Sequence, residues 1–250
     1  MNLQPFVEGV RKTKLIYYED SYLRKFKAKV FKFYREKKHD SYIALDRTAF
    51  HPKSGGQPSD KGYIWGEGFK LRVKKCILYH NVVVHYGKII EGDGCPEEVT
   101  GEIDWDWRYL LMRRHTAGHL FDYCLSIVCG KPVETLDSWL GDPCYVGYKG
   151  AAPSENELKE AERLENEFIE EGRPVSIEYV SFKELLKISP EAPNIFRLPK
   201  LRRYRIVRIE GFQPIPCGGT HLKNIKEIGR FKVIKATQID DSFKVYYDVF

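Results

Sequence analysis

Two pairs of residues in this 250-residue chain have types and spacing suited to metal chemistry. His115 and His119, in "RHTAGHL", stand at i and i+4. On a helix that spacing puts both imidazoles on one face, one turn apart, where they can chelate one ion. Cys217 and His221, in "PCGGTH", repeat the spacing far along the chain. Pro216 and the glycines Gly218 and Gly219 favour a turn there, leading into a helical turn. A thiolate with imidazoles on a tetrahedral site favours zinc. The two pairs are too far apart for a zinc finger, so the fold itself must close such a site.

Plainer readings stand beside this one. Histidines four apart are commonly ordinary helix residues, and a glycine-flanked Cys–His pair can be only a loop. The metalloprotease signature HExxH needs a Glu after the first His as general base. Thr116 occupies that position, which argues against a zinc peptidase of that kind. Four ligands would close a structural site; a displaceable ligand would leave a water position for Lewis-acid chemistry. Spacing leaves both open. Arg113 and Arg114, just before the first pair, either bind phosphate or sit solvated. No Ser-His-Asp or Cys-His nucleophile set stands out, and a Cys217 thiolate on zinc is less free to attack.

The elements that must position these residues fall into two halves. Up to about residue 106 the chain reads as many short strands, a small barrel or sandwich. "FKAKVFKFY" (Phe26 to Tyr34) alternates apolar and basic residues, with a phase change near Phe31 that predicts a bulge. Ser41 to Phe50 is a further run, followed by the turn-rich loop His51 to Gly62. Strands are expected at Gly62 to Trp65, Phe69 to Leu78, Asn81 to Tyr86 and Val99 to Asp104. From Trp107 to Cys129 the apolar residues take helical spacing. A second helix follows Ser154, where Ser154 and Glu157 form a capping box, Leu158, Ala161, Leu164 and Phe168 make the apolar stripe, and Gly172 is the stop. Strands at Val175 to Val180, Tyr204 to Glu210, Ile228 to Ala236 and Phe243 to Val249 complete an α+β half, with helices set on a largely antiparallel sheet.

Composition constrains function only broadly. The net charge is +6, compatible with a polyanionic partner and equally with a lysine-rich surface. Basic clusters lie at Arg24, Lys25, Lys27, Lys29 and Lys32 and at Lys200, Arg202, Arg203 and Arg205, the latter around Tyr204. Met1 to Arg11 lacks the apolar core of a signal peptide, and no apolar run is long enough for a membrane span, so a cytoplasmic protein is expected. The six cysteines form no CxxC pair, and most are expected as free thiols, with Cys217, near His221, the exception.

Three stretches in order, "LDRTAFHPKSGGQPSDKG", "GEIDWDWRYLLMRRHTAGHLF" and "PCGGTH", together resemble the editing region of alanyl-tRNA synthetase and its free-standing relatives, the AlaX trans-editing proteins. The chain has no room for an aminoacylation domain, so the free-standing form is the better match. The resemblance implies a translation-factor-like β-barrel over 1–106, carrying the glycine-rich loop, and an α+β editing domain over 107–250. It implies hydrolysis of tRNA for alanine mischarged with serine or glycine, with Zn2+ held by His115, His119, Cys217 and His221. Thr116 falls where the family contacts the serine hydroxyl. Gly55, Gly56 and Gln57 match the loop facing the editing pocket, Gln57 being carried over as catalytic with Thr116. Gly218 and Gly219 would let the tRNA end approach closely, and Arg114 would bind it. An ATP association enters only through the family; no phosphate loop is read here. A non-catalytic RNA-binding module with structural zinc is the alternative. The stretch Lys131 to Tyr148 departs from the family pattern, and no site residue is carried over there.

Overall fold

The computed structural model describes residues 2–36, 39–190, 195, 198 and 200–250. The fold is mixed α and β, with antiparallel sheets and an N-terminal barrel. By packing, the chain divides into two compact units, one reaching to Ser54 and resuming at Pro58–Tyr109, the other comprising Gly55–Gln57 and Leu110–Phe250.

The first unit is built on six strands: β1 (Lys25–Arg35), β2 (Asp40–Leu45), β3 (Gly62–Gly66), β4 (Phe69–Tyr79), β5 (Val82–Glu91) and β6 (Glu98–Ile103). They close in the order β1-β2-β5-β4-β3-β6, with β6 pairing back to β1. Closure leaves the sheet no free edge. Alternation explains which residues turn inward: Phe26 and Ala28 are buried between exposed Lys25, Lys27 and Lys29. The ladder shifts register between Val30 and Lys32, the bulge expected near Phe31. Inward residues such as Ile43, Leu45, Phe50, Ile64, Leu71 and Val83 form one apolar core. Two expected strands change extent. The run from Ser41 breaks after Leu45, and Arg47–Thr48 pairs instead with Lys14–Leu15. β5 runs on to Glu91, past Gly87 and Lys88, which hid its continuation in the sequence.

Asp46 and Asp60, which flank the glycine-rich loop, are both structural. Asp46 accepts the backbone N–H of Lys29. Asp60 accepts from Arg108 at Nε (2.9 Å) and at Nη2, and from the backbone of His51. The remaining Arg108 donors reach Ser21 O and Ala49 O. Arg108 and Asp60 are fully buried, and the carboxylate and carbonyls around the guanidinium are what make a buried charge tolerable.

In the second unit, α1 (Trp105–Val128) enters at Leu110. Its buried residues Leu111, Leu120, Cys124 and Leu125 follow the helical spacing of the sequence. The strands β7 (Thr135–Trp139), β8 (Tyr145–Lys149), β9 (Val175–Val180), β10 (Tyr204–Ile209), β11 (Ile215–Pro216), β12 (Phe231–Ile239) and β13 (Ser242–Val249) make two sheets. The orders are β12-β13-β8-β7 and β9-β10-β11, all antiparallel. α2 (Glu155–Glu171) has the expected capping box at Ser154 and Glu157 and a left-handed Gly172 at its end. Its buried stripe is Leu158, Ala161, Glu165 and Ile169, rotated from the expected one. The rotation carries a carboxyl inside, and burial pushes Glu165 well above the usual carboxylate range. β7, β8 and the short helix α3 (Phe182–Ile188) are additions to the sequence reading. Among the described residues all six cysteines are free, and no helix is long and apolar enough to cross a membrane.

The barrel contains a pH-sensitive group. His85 is fully buried, with Nδ1 facing the Ile43 carbonyl (3.1 Å) and Nε2 facing the Thr48 hydroxyl (2.8 Å). A carbonyl only accepts, so Nδ1 carries the proton and Nε2 accepts from Thr48. Burial pushes the pKa down from 6.5 to about 4. Between those values the unfolded chain binds a proton that the folded chain does not. Stability therefore falls as pH drops from 6.5 towards 4, by up to about 3 kcal/mol from this group. Urea melts from pH 7 to 4 should show a shallower loss for His85→Gln than for the wild type. Identical slopes would rule His85 out as the source.

Candidate metal centre

His115 and His119 lie one turn apart on α1, where their rings stack at 4.9 Å. Cys217 and His221 follow β11. The His221 ring lies 4.2 Å from that of His115 and 5.1 Å from that of His119. One donor atom from each of the four residues lies within 4.8 Å of the others. Cys217 Sγ is 3.3 Å from His115 Nε2 and 3.3 Å from His221 Nε2. Tetrahedral bonds of zinc length would put sulfur and nitrogen roughly 3.6 Å apart, so the group needs little movement to share an ion. Among the described residues, the buried His119 Nε2 has no hydrogen-bond partner, a demand a metal would satisfy. Burial also pushes His119 down to about 4, which keeps it neutral, as a ligand must be. Burial raises the Cys217 thiol, opposed by the Gly219 N–H and then by the Arg205 charge. The donor set and its spacing fit a metal ion.

The ligands' orientation is set by neighbours. Gln57, fully buried, takes the backbone N–H of Thr220 at Oε1 (3.1 Å) and donates from Nε2 to Thr220 Oγ1 (2.9 Å). A backbone N–H can only donate, so the facing Gln57 atom is the oxygen. The same oxygen lies 3.1 Å from His115 Nδ1. Nδ1 must therefore carry the proton, and the lone pair of His115 sits on Nε2, the atom that faces Cys217. Thr116 plays a parallel part for His221. Its hydroxyl is buried, 3.3 Å from His221 Nδ1, and accepts the Leu222 N–H at 3.2 Å.

Glycine is required at two positions here. A Cβ on Gly219 would lie 2.1 Å from His115 Cε1 and 2.8 Å from Gln57 Oε1. Gly56 has φ +79°, and a Cβ there would lie 2.3 Å from Ser138 Oγ; its carbonyl accepts the Leu140 N–H. Gly55 and Gly218 are exposed.

Arg114 does not reach the cluster. Its guanidinium donates to Asp248, Asp142 and the Leu140 carbonyl, and it is 3 % exposed. These bonds make it an anchor for the Leu140–Asp142 segment. Tyr204 is buried, and Arg205 donates to the Cys217 carbonyl at 2.6 Å, so these two members of the second basic cluster face inward. Sequence reasoning missed Arg205 and Thr220 as supports. Thr220 stood in plain sight beside His221; nothing in the sequence linked Arg205 to Cys217. A cleft of about 480 Å³ lined by Asp122, Tyr123, Phe212 and Gln213 contains none of the four cluster residues. The candidate site therefore rests on its donor atoms rather than on concavity.

Comparison with known proteins shows the family. Residues 2–107 match the model of class II (A) tRNA synthetases, and 204–242 match the threonyl and alanyl tRNA synthetase second additional domain. An alanyl-tRNA editing protein, AlaX-M, of Methanosarcina acetivorans is 35% identical over 234 residues, covering 89% of this chain and 93% of that protein. The chain belongs to the alanyl-tRNA editing family. Alanine–tRNA ligases of Pyrobaculum aerophilum (35% identical) and Pyrococcus abyssi (34%) match over 94% of this chain. The chain spans 26% and 25% of their respective lengths. Within this editing family member, the match to the second additional domain contains Cys217 and His221.

The Gln57 bond predicts a measurable effect. Gln57→Leu removes the acceptor that holds the His115 tautomer, and loss of such a support typically costs 10–100-fold in metal affinity. Competition against a chromophoric chelator should show that loss, with Gln57→Glu less affected because it still accepts from Nδ1. Equal affinity of Gln57→Leu and wild type would remove the positioning role.

Proposed function

We propose that this chain hydrolyses the aminoacyl ester of tRNA for alanine wrongly charged with serine or glycine, acting in trans, with Zn2+ held by His115, His119, Cys217 and His221. The observation that carries the reading is the convergence of these four donors beside Gln57 of the glycine-rich loop. The alanyl-tRNA editing protein of Methanosarcina acetivorans, similar along most of both chains, supports it. The same reading makes 1–106 a translation-factor-like barrel domain and 107–250 the editing domain, with its helices set against the sheet.

When bound, zinc supplies Lewis-acid polarisation at the ester or lowers the pKa of a bound water. The chain's own residues do the positioning. Gln57 keeps the His115 lone pair on Nε2, and Thr116 holds His221 through Nδ1. His119 and Cys217 are the partly exposed members, so the aminoacyl end approaches from their side. The exposed Gly218 keeps that approach free of a side chain, while Gly219 leaves room for His115 and Gln57.

Serine differs from alanine by one hydroxyl, and a site built to hydrogen-bond it can reject the analogue lacking it by as much as ~10⁴. Thr116 Oγ1 accepts from Leu222 N and, with its proton on Nδ1, from His221. That uses both lone pairs and leaves the hydroxyl hydrogen to donate to the substrate hydroxyl. A second reading, a structural zinc in a non-catalytic RNA-binding module, draws on the four-donor set, which is enough to close a tetrahedral shell.

Deacylation of Ser-tRNA and Ala-tRNA of the alanine acceptor decides between them. The wild type should hydrolyse the serine ester much faster; equal background loss of both sinks the enzymatic reading. At saturating zinc, Thr116→Val should lose most of the serine preference, while Thr116→Ser should keep it. An unchanged preference in Thr116→Val would take Thr116 out of substrate recognition.

A further inference from the structure

The outer face of the barrel carries cross-strand rows whose make-up bears on RNA. Register pairs Lys25 with Glu102, Glu102 with Tyr63, Tyr63 with Arg72, and Arg72 with Lys88. The neighbouring row pairs Lys27 with Thr100, Thr100 with Trp65, Trp65 with Lys70, and Lys70 with Glu91. Residues paired this way point to the same side of the sheet, about 4.8 Å apart, and the rows lie about 6.8 Å apart. Their inward neighbours Phe26, Ile64, Leu71 and Val73 are buried, which fixes both rows outside. Five cations thus face two carboxylates across strands β1, β6, β3, β4 and β5.

The centre of this field is aromatic. Tyr63 is 38 % exposed and Trp65 is half-buried. Lys70 lies over the Tyr63 ring at 5.1 Å and Lys25 over the Trp65 ring at 4.8 Å. A cleft opens on each side of Trp65. One, of about 470 Å³, is bounded by Lys27, Arg47 and Trp65 together with Asp46 and Glu98; the other, of about 300 Å³, by Tyr63, Trp65 and Lys70 together with Glu91 and Glu102. Cations spaced along a surface with aromatic rings between them suit a single nucleic-acid strand, whose phosphates meet the charges while unpaired bases stack. A cation–ring pair alone would only cover the aromatic surface; two clefts beside the rings provide room for bases.

We propose that this barrel face, Lys25, Lys27, Lys70, Arg72 and Lys88 around Tyr63 and Trp65, binds a single strand of RNA. It rests on the reading above only in taking RNA as the partner. Glu102, in the middle of the first row, weakens that binding, which gives a test of opposite sign.

The experiment is fluorescence anisotropy of a labelled single-stranded RNA with the full chain at several salt concentrations. Lys70→Gln/Arg72→Gln/Lys88→Gln should weaken binding at least tenfold and reduce the salt slope by about two, at roughly 0.7 per phosphate contact. Tyr63→Ala and Trp65→Ala should each weaken it at least fivefold with the slope unchanged. Glu102→Gln should tighten it about threefold. A triple variant that binds like the wild type overturns the proposal, as does Glu102→Gln binding no more tightly. The glutamate variant removes only an exposed charge, so it keeps the test sound if the triple variant misfolds. Deacylation is measured separately. Hydrolysis with indifferent face variants sinks only this surface; RNA binding lost in the variants without wild-type hydrolysis sinks only the enzymatic reading.

Discussion

The candidate metal centre depends on one oxygen atom. Gln57 Oε1 receives both the Thr220 backbone N–H and the His115 ring N–H. The first bond identifies the atom as oxygen, because a backbone N–H cannot accept. The second then assigns the His115 proton to Nδ1 and its lone pair to Nε2. Had the amide been turned the other way, a buried N–H would face an N–H, and the unmet donor would cost 1–3 kcal/mol. The centre is thus oriented by a group that donates nothing to the ion.

The supports around it share a logic. Each ligand-bearing segment is held by a bond that constrains one torsion or one tautomer. Thr116 sits between His221 and Leu222, and Arg205 grips the Cys217 carbonyl. Arg114, next to the first ligand, spends its donors on Asp248, Asp142 and Leu140. The barrel holds its buried charge in the same manner: every Arg108 group with a described bond meets a carboxylate or a carbonyl. In each case a polar group is buried together with its partners, which is what makes its burial affordable in free energy.

Much of the architecture was legible in local patterns. The Ser154 capping box, the Gly172 stop and the bulge near Phe31 were all visible because they depend on neighbours a few residues away. The α2 stripe was not, since tertiary packing turned Glu165 inward where the pattern favoured Leu164. β7 and β8 were missed because Gly147 and the polar Asp137 and Ser138 interrupt any clean alternation there. The anchoring by Arg114 was not legible because its partners, Asp248 and Asp142, are not encoded near it.

The sequence by itself determined the donor types, the i, i+4 spacing of both pairs and the glycines that keep side chains out of their way. Those are properties of single residues and short segments, which geometry ties to sequence directly. Only the tertiary structure decided that the two pairs meet, which nitrogen of His115 faces the sulfur, and that Gly55–Gln57 pack with the second unit although their chain neighbours belong to the barrel. Those outcomes depend on hydrogen bonds between residues as far apart as Gln57 and Thr220, and no local pattern specifies such a pairing.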